Sequence, residues 1–195
     1  MKLQLLTTTK WAGPEHIRDE KSARVTTFMR RHFYGSVPHL GAGIIARELE
    51  KLEVKYDISD INDPRAVEKG KKADLVGISG KMLHGERIVK LANELIKNNV
   101  MVIAGGPGPS LFPERLLERA PGISVVVGES EGLWEEIIND AETNRMKPIY
   151  QRERPLDLRR EYTLPDRNLP MFKFSFKNPA SITAPIELGR GCHNS

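Results

Sequence analysis

The chain has 195 residues, of which 39% are hydrophobic, and a formal net charge of +4. This length and composition suit one domain with a sizeable appendage or two small domains, and no apolar run reaches the roughly 18 residues of a membrane-spanning helix. Opposite charges are interspersed, and no basic helix or basic and aromatic stripe occurs, so we interpret the charges as solvated faces rather than as a polyanion or nucleic-acid site.

The N-terminus and the cysteine content indicate the compartment. The short apolar stretch at the start lacks the long apolar core and the cleavage site of a signal peptide. The single cysteine, Cys192, excludes an internal disulfide. Both features fit a reducing environment, and we predict a cytoplasmic protein.

Strand-like and helical patterns alternate through residues 1–142. Apolar runs predict strands at LQLLTT (3–8), VKYDISD (54–60), DLVGISG (74–80), VMVIAGG (100–106) and ISVVVG (123–128). The later runs are nearly continuous and β-branched, as in strands that are buried on both faces. Apolar residues that share one helical face predict helices over 40–52, 88–96 and 133–141, with shorter helices over 66–73 and 113–120.

This alternation predicts right-handed crossovers and a parallel sheet that is covered on both sides. We predict a flavodoxin-like α/β fold with five parallel strands in the order 2-1-3-4-5, helices on both faces and an extended C-terminal tail. Sheets of this kind bind ligands beyond the carboxyl ends of the strands, near the point where the strand order reverses. We therefore expect a site in the loops that follow the strands.

Two segments depart from the alternation. About thirty residues separate Thr7 from Pro38, far more than a simple connection needs, and they form either a lid over the ligand edge or a surface decoration. Prolines among charges indicate an extended linker after residue 142, and strand-like alternation returns near the C-terminus. We predict a first domain over 1–142, a proline-rich linker over 143–180 and the start of a further element over 181–195.

Each strand-end loop is a weak signal by itself. The glycines of GGPGPS (105–110) and GESEG (128–132) allow positive φ and a close approach of the backbone to a ligand, but an ordinary tight turn has the same composition. Ser79 either offers its hydroxyl to a ligand or caps the next turn.

Several other site classes lack their signatures. The five histidines show no metal-ligand spacing, and neither a phosphate loop nor a Gly-x-Ser-x-Gly elbow occurs. Ser79 and Gly80 stand where a receiver domain needs an aspartate. The threonines after the first strand supply hydroxyls for a flavin phosphate, but KWAGPEH (10–16) lacks the expected Gly-Asn-Thr pattern, so flavin is an alternative.

The combination of motifs says more than its parts. The segments, in order, are PHLGAGIIARELEKL (38–52), DLVGIS (74–79), VIAGGPGPSLFPE (102–114), VVVGESEG (125–132), LPDRNLP (164–170) and IELGRGC (186–192). In this order and spacing they resemble the cobalamin-binding-domain radical SAM enzymes. The resemblance implies a cobalamin-binding flavodoxin-like domain, a linker, and a TIM-like barrel that begins with a Cys-x-x-x-Cys-x-x-Cys loop for a four-iron, four-sulfur cluster and S-adenosylmethionine.

The resemblance also implies roles for individual residues. By position, the residues lining the corrin or its nucleotide tail are Ser79, Gly105, Gly106, Gly128 and Glu129. Cys192 corresponds to the first cluster ligand, and 181–195 to the truncated start of the barrel, which is present in cis or as a separate chain. Because this sequence offers one thiolate, we expect it to hold no stable cluster and to be inactive alone, with no catalytic residue of its own.

One feature of the resembled family is missing. Many cobalamin domains carry Asp-x-His-x-x-Gly, whose histidine binds cobalt. Matching the glycine to Gly41 puts Pro38 at the histidine position and Ser36 at the aspartate position. His39 is one residue out of register, and His32 has the spacing to a glycine without the aspartate. We predict that any bound cobalamin lacks a protein imidazole; the alternative is a ligand-free or flavin-type flavodoxin-like scaffold or dimerisation module.

Overall fold

A parallel sheet of six strands organises the computed structural model, which describes residues 1–7 and 40–169. The strands are β1 (Lys2–Thr7), β2 (Lys55–Asp60), β3 (Leu75–Ser79), β4 (Met101–Gly105), β5 (Ile123–Val127) and β6 (Ile149–Gln151). Their order is β2-β1-β3-β4-β5-β6, and every neighbouring pair is parallel. The predicted α/β fold and the order of the first five strands are confirmed.

Six α-helices connect these strands within the described residues. They are α1 (Leu40–Lys51), α2 (Ala66–Gly70), α3 (Gly85–Ile96), α4 (Pro107–Leu111), α5 (Pro113–Arg119) and α6 (Trp134–Glu142), and a short 3₁₀ turn (Met82–His84) precedes α3. The short helix α4 was not predicted. It begins directly after Gly106 with a proline in its first turn, where the missing N–H leaves no hydrogen bond unmade.

Alternate residues of the strands fill two separate cores. On one face, Leu6, Val76 and Ile78 pack in a cluster with residues of α2, α3 and α5. On the other face, Leu5 and Leu75 pack with residues of α1 and α6. This arrangement confirms helices on both faces, and it explains why β3, β4 and β5 consist mainly of apolar residues.

The sixth strand is an addition to the five that the sequence predicts. Ile149–Gln151 pairs with Val125–Val127, although it lies within the stretch predicted to be a linker. Only Tyr150 of this strand is buried, with 2% of its surface exposed, and it packs in the α1 and α6 core. Three residues between proline and charge carry too short a pattern to predict a strand. The domain boundaries at 142 and 180 stay predictions.

The hydroxyl of Tyr150 holds the sixth strand in place. It donates to Asp140 Oδ2 (2.9 Å) and accepts from the Lys147 N–H (3.0 Å). Burial and the neighbouring Asp140 raise the pKa of Tyr150 to about 12, so the phenol is neutral at physiological pH. Tyr150→Phe is expected to lower the free energy of unfolding by about 1 kcal/mol in a denaturant titration.

Tyr56→Phe is the matched control for this prediction. The Tyr56 hydroxyl donates to Glu50 Oε1 (3.2 Å) on the protein surface, so its loss should change the free energy of unfolding by less. Equal effects of the two substitutions would contradict an anchoring role of Tyr150.

None of the helices within residues 1–7 and 40–169 is long and apolar enough to cross a membrane. The long connection after Thr7, the histidines at 32 and 39, and Cys192 all lie outside the described residues.

Candidate functional site

The strand order reverses between β1 and β3, whose carboxyl ends lie side by side. β2 lies on the far side of β1, and β4, β5 and β6 follow β3 in the other direction. Thr7 ends β1 and Ser79 ends β3. In open α/β sheets this reversal leaves a crevice in which ligands bind.

A narrow apolar cleft occupies this position, between the sheet and the helices α1 and α6. It has a volume of about 50 Å³, where one water needs about 10–15 Å³. Its lining residues are Leu5, Leu6, Thr7, Ala42, Ile45, Gly77, Ile78, Ser79, Ile103, Ala104, Gly105, Val126, Ser130 and Trp134. None of these described residues carries a charge, so this part of the lining suits a neutral group.

Small residues on one face of the central strands create this cleft. On this face of β3 the side chains become smaller along the strand, from Leu75 to Gly77 and Ser79, of which the last two line the cleft, and β4 ends in Gly105. A Cβ atom at Gly77 would stand 2.8 Å from Leu5 Cδ2, so the end of the Leu5 side chain would have to shift to admit a larger residue. A glycine inside a strand commonly marks such a close approach.

Two polar atoms buried beside the cleft have no hydrogen-bond partner among the described residues. They are the hydroxyl oxygen of Thr7 and the indole nitrogen of Trp134, and these residues are only 1% and 3% exposed. A buried donor without a partner destabilises the folded protein by about 1–3 kcal/mol. Native proteins seldom keep such groups without a reason, so both are candidates for ligand contacts.

The loops after β3 and β4 are tied to each other by their backbones. The Gly80 N–H donates to the Gly105 carbonyl (3.2 Å), and the Gly108 N–H donates to the Gly80 carbonyl (3.1 Å). A Cβ at Gly108 would lie 2.7 Å from the carbonyl carbon and oxygen of Lys81. These backbones therefore meet more closely than any side chain would allow.

Gly106 makes the turn between β4 and α4. Its φ of 93° lies in the region that favours glycine, and a Cβ there would come within 3.1 Å of Ser79 Oγ. The glycine thus brings the GGPGPS loop against Ser79 at the carboxyl edge.

The loop after β5 is held by a side chain of helix α4. The Ser110 hydroxyl donates to the Val126 carbonyl (3.4 Å), and its oxygen accepts from the Gly128 N–H (3.0 Å). Gly128 has a φ of 78°, and nothing lies within 4 Å of its virtual Cβ. Gly128 is therefore exposed at this edge of the sheet.

Glu48 of α1 holds the far end of the same loop. Its carboxylate accepts from the Gly132 N–H (3.1 Å), the Thr163 hydroxyl (2.6 Å) and Lys51 Nζ (2.7 Å). Burial raises the pKa of Glu48, but these hydrogen bonds outweigh burial and leave the pKa below its usual value. Arg152 adds a hydrogen bond to the Glu131 carbonyl. The loop is thus fixed at both ends.

A third buried polar atom without a partner among the described residues, His84 Nε2, lies outside the cleft lining. The Lys81 N–H donates to His84 Nδ1 (3.1 Å), and burial together with the charge of Lys81 lowers the pKa of the imidazole. Within residues 1–7 and 40–169, no three histidine, cysteine or acidic side chains are grouped to hold a metal ion.

The protein family described as the B12 binding domain matches residues 26–138, more than half of the chain. The chain belongs to the B12-binding domain family. The carboxyl edge of its sheet, with the cleft and the three strand-end loops, is therefore the candidate ligand edge of this B12-binding domain.

Two known proteins are similar to this B12-binding domain. The bacteriochlorophyllide d C-8(2)-methyltransferase of Chlorobaculum tepidum is 29% identical over 127 residues, which cover 61% of this chain and 26% of that protein. The structure of the radical S-adenosylmethionine methyltransferase TsrM of Kitasatospora setae matches with a TM-score of 0.53 at 15% identity, over 73% of this chain and 26% of that one, and so shares the fold. The chain spans about a quarter of the length of each relative. The resemblance to cobalamin-binding-domain radical SAM enzymes is confirmed for this domain.

The residues predicted for the site of the B12-binding domain fall into two groups. Ser79 and Gly105 line the cleft, and Gly106 lies directly beside Ser79. Gly128 and Glu129 lie on the loop after β5 and are not part of the cleft lining. Cys192 lies outside the described residues. The assigned roles stay predictions.

Three lining residues of the B12-binding domain were missed by sequence reasoning. In the sequence, Gly77 lies within a predicted strand and Trp134 within the predicted helix over 133–141, with no sign of a ligand. Thr7 was considered only for a flavin phosphate. The available signal was the alternation of small residues at 77 and 79, whereas the missing hydrogen bonds of Thr7 and Trp134 are visible only in three dimensions.

Proposed function

We propose that this B12-binding domain binds cobalamin at the carboxyl edge of its sheet, with the nucleotide tail of the cofactor in the apolar cleft. The observation that carries the proposal is the cleft itself, at the point of strand reversal in a chain of this family. An apolar crevice with a few polar groups is the common form of a cofactor site.

The chemistry of the lining fits the base at the end of the tail. This base is a flat, neutral, mostly apolar pair of fused rings, and Gly77 and Gly105 leave room for a flat group against the sheet. The cleft of about 50 Å³ is smaller than two fused rings, so it must widen as the base enters. Once the cleft has widened, an acceptor on the entering tail could form a hydrogen bond with the Thr7 hydroxyl or the Trp134 indole N–H.

The strand-end loops supply the remaining contacts in this proposal. Ser79 offers a hydroxyl beside the tail, and Gly105 and Gly106 allow the backbone to approach it. In this proposal, Gly128 and Glu129 on the loop after β5 would contact the edge of the corrin. The family and the apolar lining favour a corrinoid over the flavin alternative.

In the complete protein, we place this domain beside a radical SAM barrel, in cis or as a separate chain. The proline-rich linker (143–180) would lead to the start of the barrel (181–195), where Cys192 would be one of the cluster ligands. When bound, cobalamin supplies a cobalt centre that can carry a methyl group. The two relatives named above are methyltransferases, which supports methyl transfer as the reaction class.

Titration with hydroxocobalamin tests the proposed function. The full chain is expected to bind it saturably and stoichiometrically, as measured by the visible spectrum and by co-elution in gel filtration. Because no histidine is in register, His32→Ala and His39→Ala are expected to leave the cobalt spectrum unchanged. An absence of binding would favour the scaffold alternative, and loss of an imidazole-type spectrum in either variant would refute the axial-ligand prediction.

A further inference from the structure

Exposed apolar side chains are concentrated in one part of the described structure. Of the seven large hydrophobic side chains that are exposed within residues 1–7 and 40–169, four lie on the 3₁₀ turn before α3 and at the junction of α4 and α5. They are Met82, Leu83, Leu111 and Phe112, each at least 50% exposed. Exposed apolar residues that cluster in this way mark an interaction surface, whereas scattered ones do not.

The turn and the helix junction form one continuous surface. The Gly108 N–H of α4 donates to the Gly80 carbonyl (3.1 Å) beside the turn. Arg119 of α5 binds Glu86 of α3 through two hydrogen bonds (2.6 and 2.8 Å) and so links the two helices. A groove of about 250 Å³ lies between them. Its apolar side chains include Met82, Leu83, Ile88, Val89, Phe112 and Leu116.

Two charges on α5 accompany this apolar surface. Arg115 also lines the groove, and because Glu86 pairs with Arg119, Arg115 has no ion pair among the described residues. Glu118 is exposed three residues further along the helix, and within the described part of the chain it too has no ion pair. A cation and an anion on the same exposed helix can each find a partner on a second copy of that helix.

We propose that this surface binds a second copy of the chain, with the two α5 helices antiparallel about a two-fold axis. In this arrangement Arg115 of one copy faces Glu118 of the partner subunit, and the symmetry forms the same pair a second time. The apolar side chains of the two surfaces then cover one another. Phe, Met and Arg, which this surface offers, are residue types that protein interfaces favour. The inference goes beyond the proposed function and does not depend on it.

Reversal of the two charges tests the reciprocal pairing. Arg115→Glu places two carboxylates opposite each other, and Glu118→Arg does the same with two guanidinium groups. Each variant alone is expected to raise the Kd of the dimer at least about tenfold, because like charges then face each other in both copies. An equimolar mixture of the two variants regains opposite charges at both positions and should form a heterodimer with the affinity of the wild type.

Sedimentation equilibrium of the full chain measures all four samples: the wild type, each variant and the mixture. Both side chains are exposed, so the melting temperatures of the variants should equal that of the wild type. Recovery of the dimer in the mixture also shows that both variants are folded.

Removal of one apolar side chain tests the rest of the surface. Phe112→Ser is expected to raise the Kd of the dimer about thirtyfold or more, as a central aromatic residue does in other interfaces. Leu164→Ser is the matched control, because Leu164 is 71% exposed and does not line the groove. This control should leave the Kd unchanged.

The outcomes separate this inference from the proposed function. A wild-type chain that sediments as a monomer at the highest soluble concentration overturns the inference, and so does a dimer that persists in Phe112→Ser. A mixture of the two charge variants that stays monomeric overturns the reciprocal pairing. Dissociation of the dimer by saturating cobalamin would assign the surface to the ligand edge and overturn the inference. If cobalamin does not bind but the mixture restores the dimer, the inference stands and the proposed function fails.

Discussion

Gly105→Ala is expected to weaken cobalamin binding by about tenfold to a hundredfold while leaving the fold intact. The added Cβ would lie 3.5 Å from Val126 Cβ, an ordinary contact, so the folded protein can accept the methyl group. That methyl group would stand in a cleft of only about 50 Å³, where the tail base is proposed to enter. Overpacking of this kind typically costs about 1–3 kcal/mol, and each 1.4 kcal/mol is about tenfold in Kd.

Isothermal titration with two corrinoids measures this effect and supplies its control. Cobinamide has no nucleotide tail, so the proposed use of the cleft predicts that its affinity is the same for the wild type and for Gly105→Ala. An equal loss for both corrinoids would show that Gly105 acts on the corrin ring instead of on the tail. Unchanged cobalamin binding would exclude the cleft as the tail site.

Gly108→Ala is expected to lower the free energy of unfolding by about 2–4 kcal/mol. A Cβ at this position would lie 2.7 Å from Lys81 C and O and 2.9 Å from Met82 N. These are backbone atoms, so the loops after β3 and β4 must separate, and the hydrogen bond from Gly108 N to Gly80 O is stretched. Overpacking and the weakened hydrogen bond together account for the estimate.

Thermal unfolding measures this loss, which corresponds to a decrease in Tm of roughly 5–15 °C in a chain of this size. Gly85→Ala is the matched control, because Gly85 opens α3 with helical angles and nothing lies within 4 Å of its virtual Cβ. That substitution should leave Tm unchanged or raise it slightly. A similar loss in both variants would contradict the close backbone contact between the two loops.

The order of the first five strands could be predicted because the sequence patterns and the fold agree locally. β3, β4 and β5 are buried on both faces and therefore appear as short continuous apolar runs. The helices α3 and α6 bury one face each, so their apolar residues repeat at helical spacing. Alternation of these two patterns leaves few arrangements other than a parallel sheet.

The sixth strand could not be predicted, because its stability comes from tertiary contacts. Of its three residues, only Tyr150 is buried, and the side chain of Asp140 and the backbone of Lys147 hold its hydroxyl. The Val125 N–H adds a hydrogen bond to the Pro148 carbonyl (2.8 Å) before the strand begins. None of these contacts leaves a periodic pattern in the sequence.

One part of the candidate site could likewise be predicted from the sequence, and another part could not. Ser79 and Gly105 were predicted because each ends a strand, and strand ends meet at one edge of a parallel sheet. The cleft itself depends on which face of the strand Gly77 occupies and on the wall formed by Trp134 of α6. A helix pattern places Trp134 in a core, but it does not tell whether the indole N–H finds a partner.

The most direct test of the central claim, that the tail of cobalamin occupies the cleft, is the electron paramagnetic resonance spectrum of the bound Co(II) form at neutral pH. In free Co(II) cobalamin the tail base binds cobalt, and its nitrogen splits the cobalt lines. With the base in the cleft and no histidine in register, the bound form is expected to show no nitrogen splitting and to match bound Co(II) cobinamide. Nitrogen splitting that persists when all the cobalamin is bound, and that bound Co(II) cobinamide does not show, would contradict the claim.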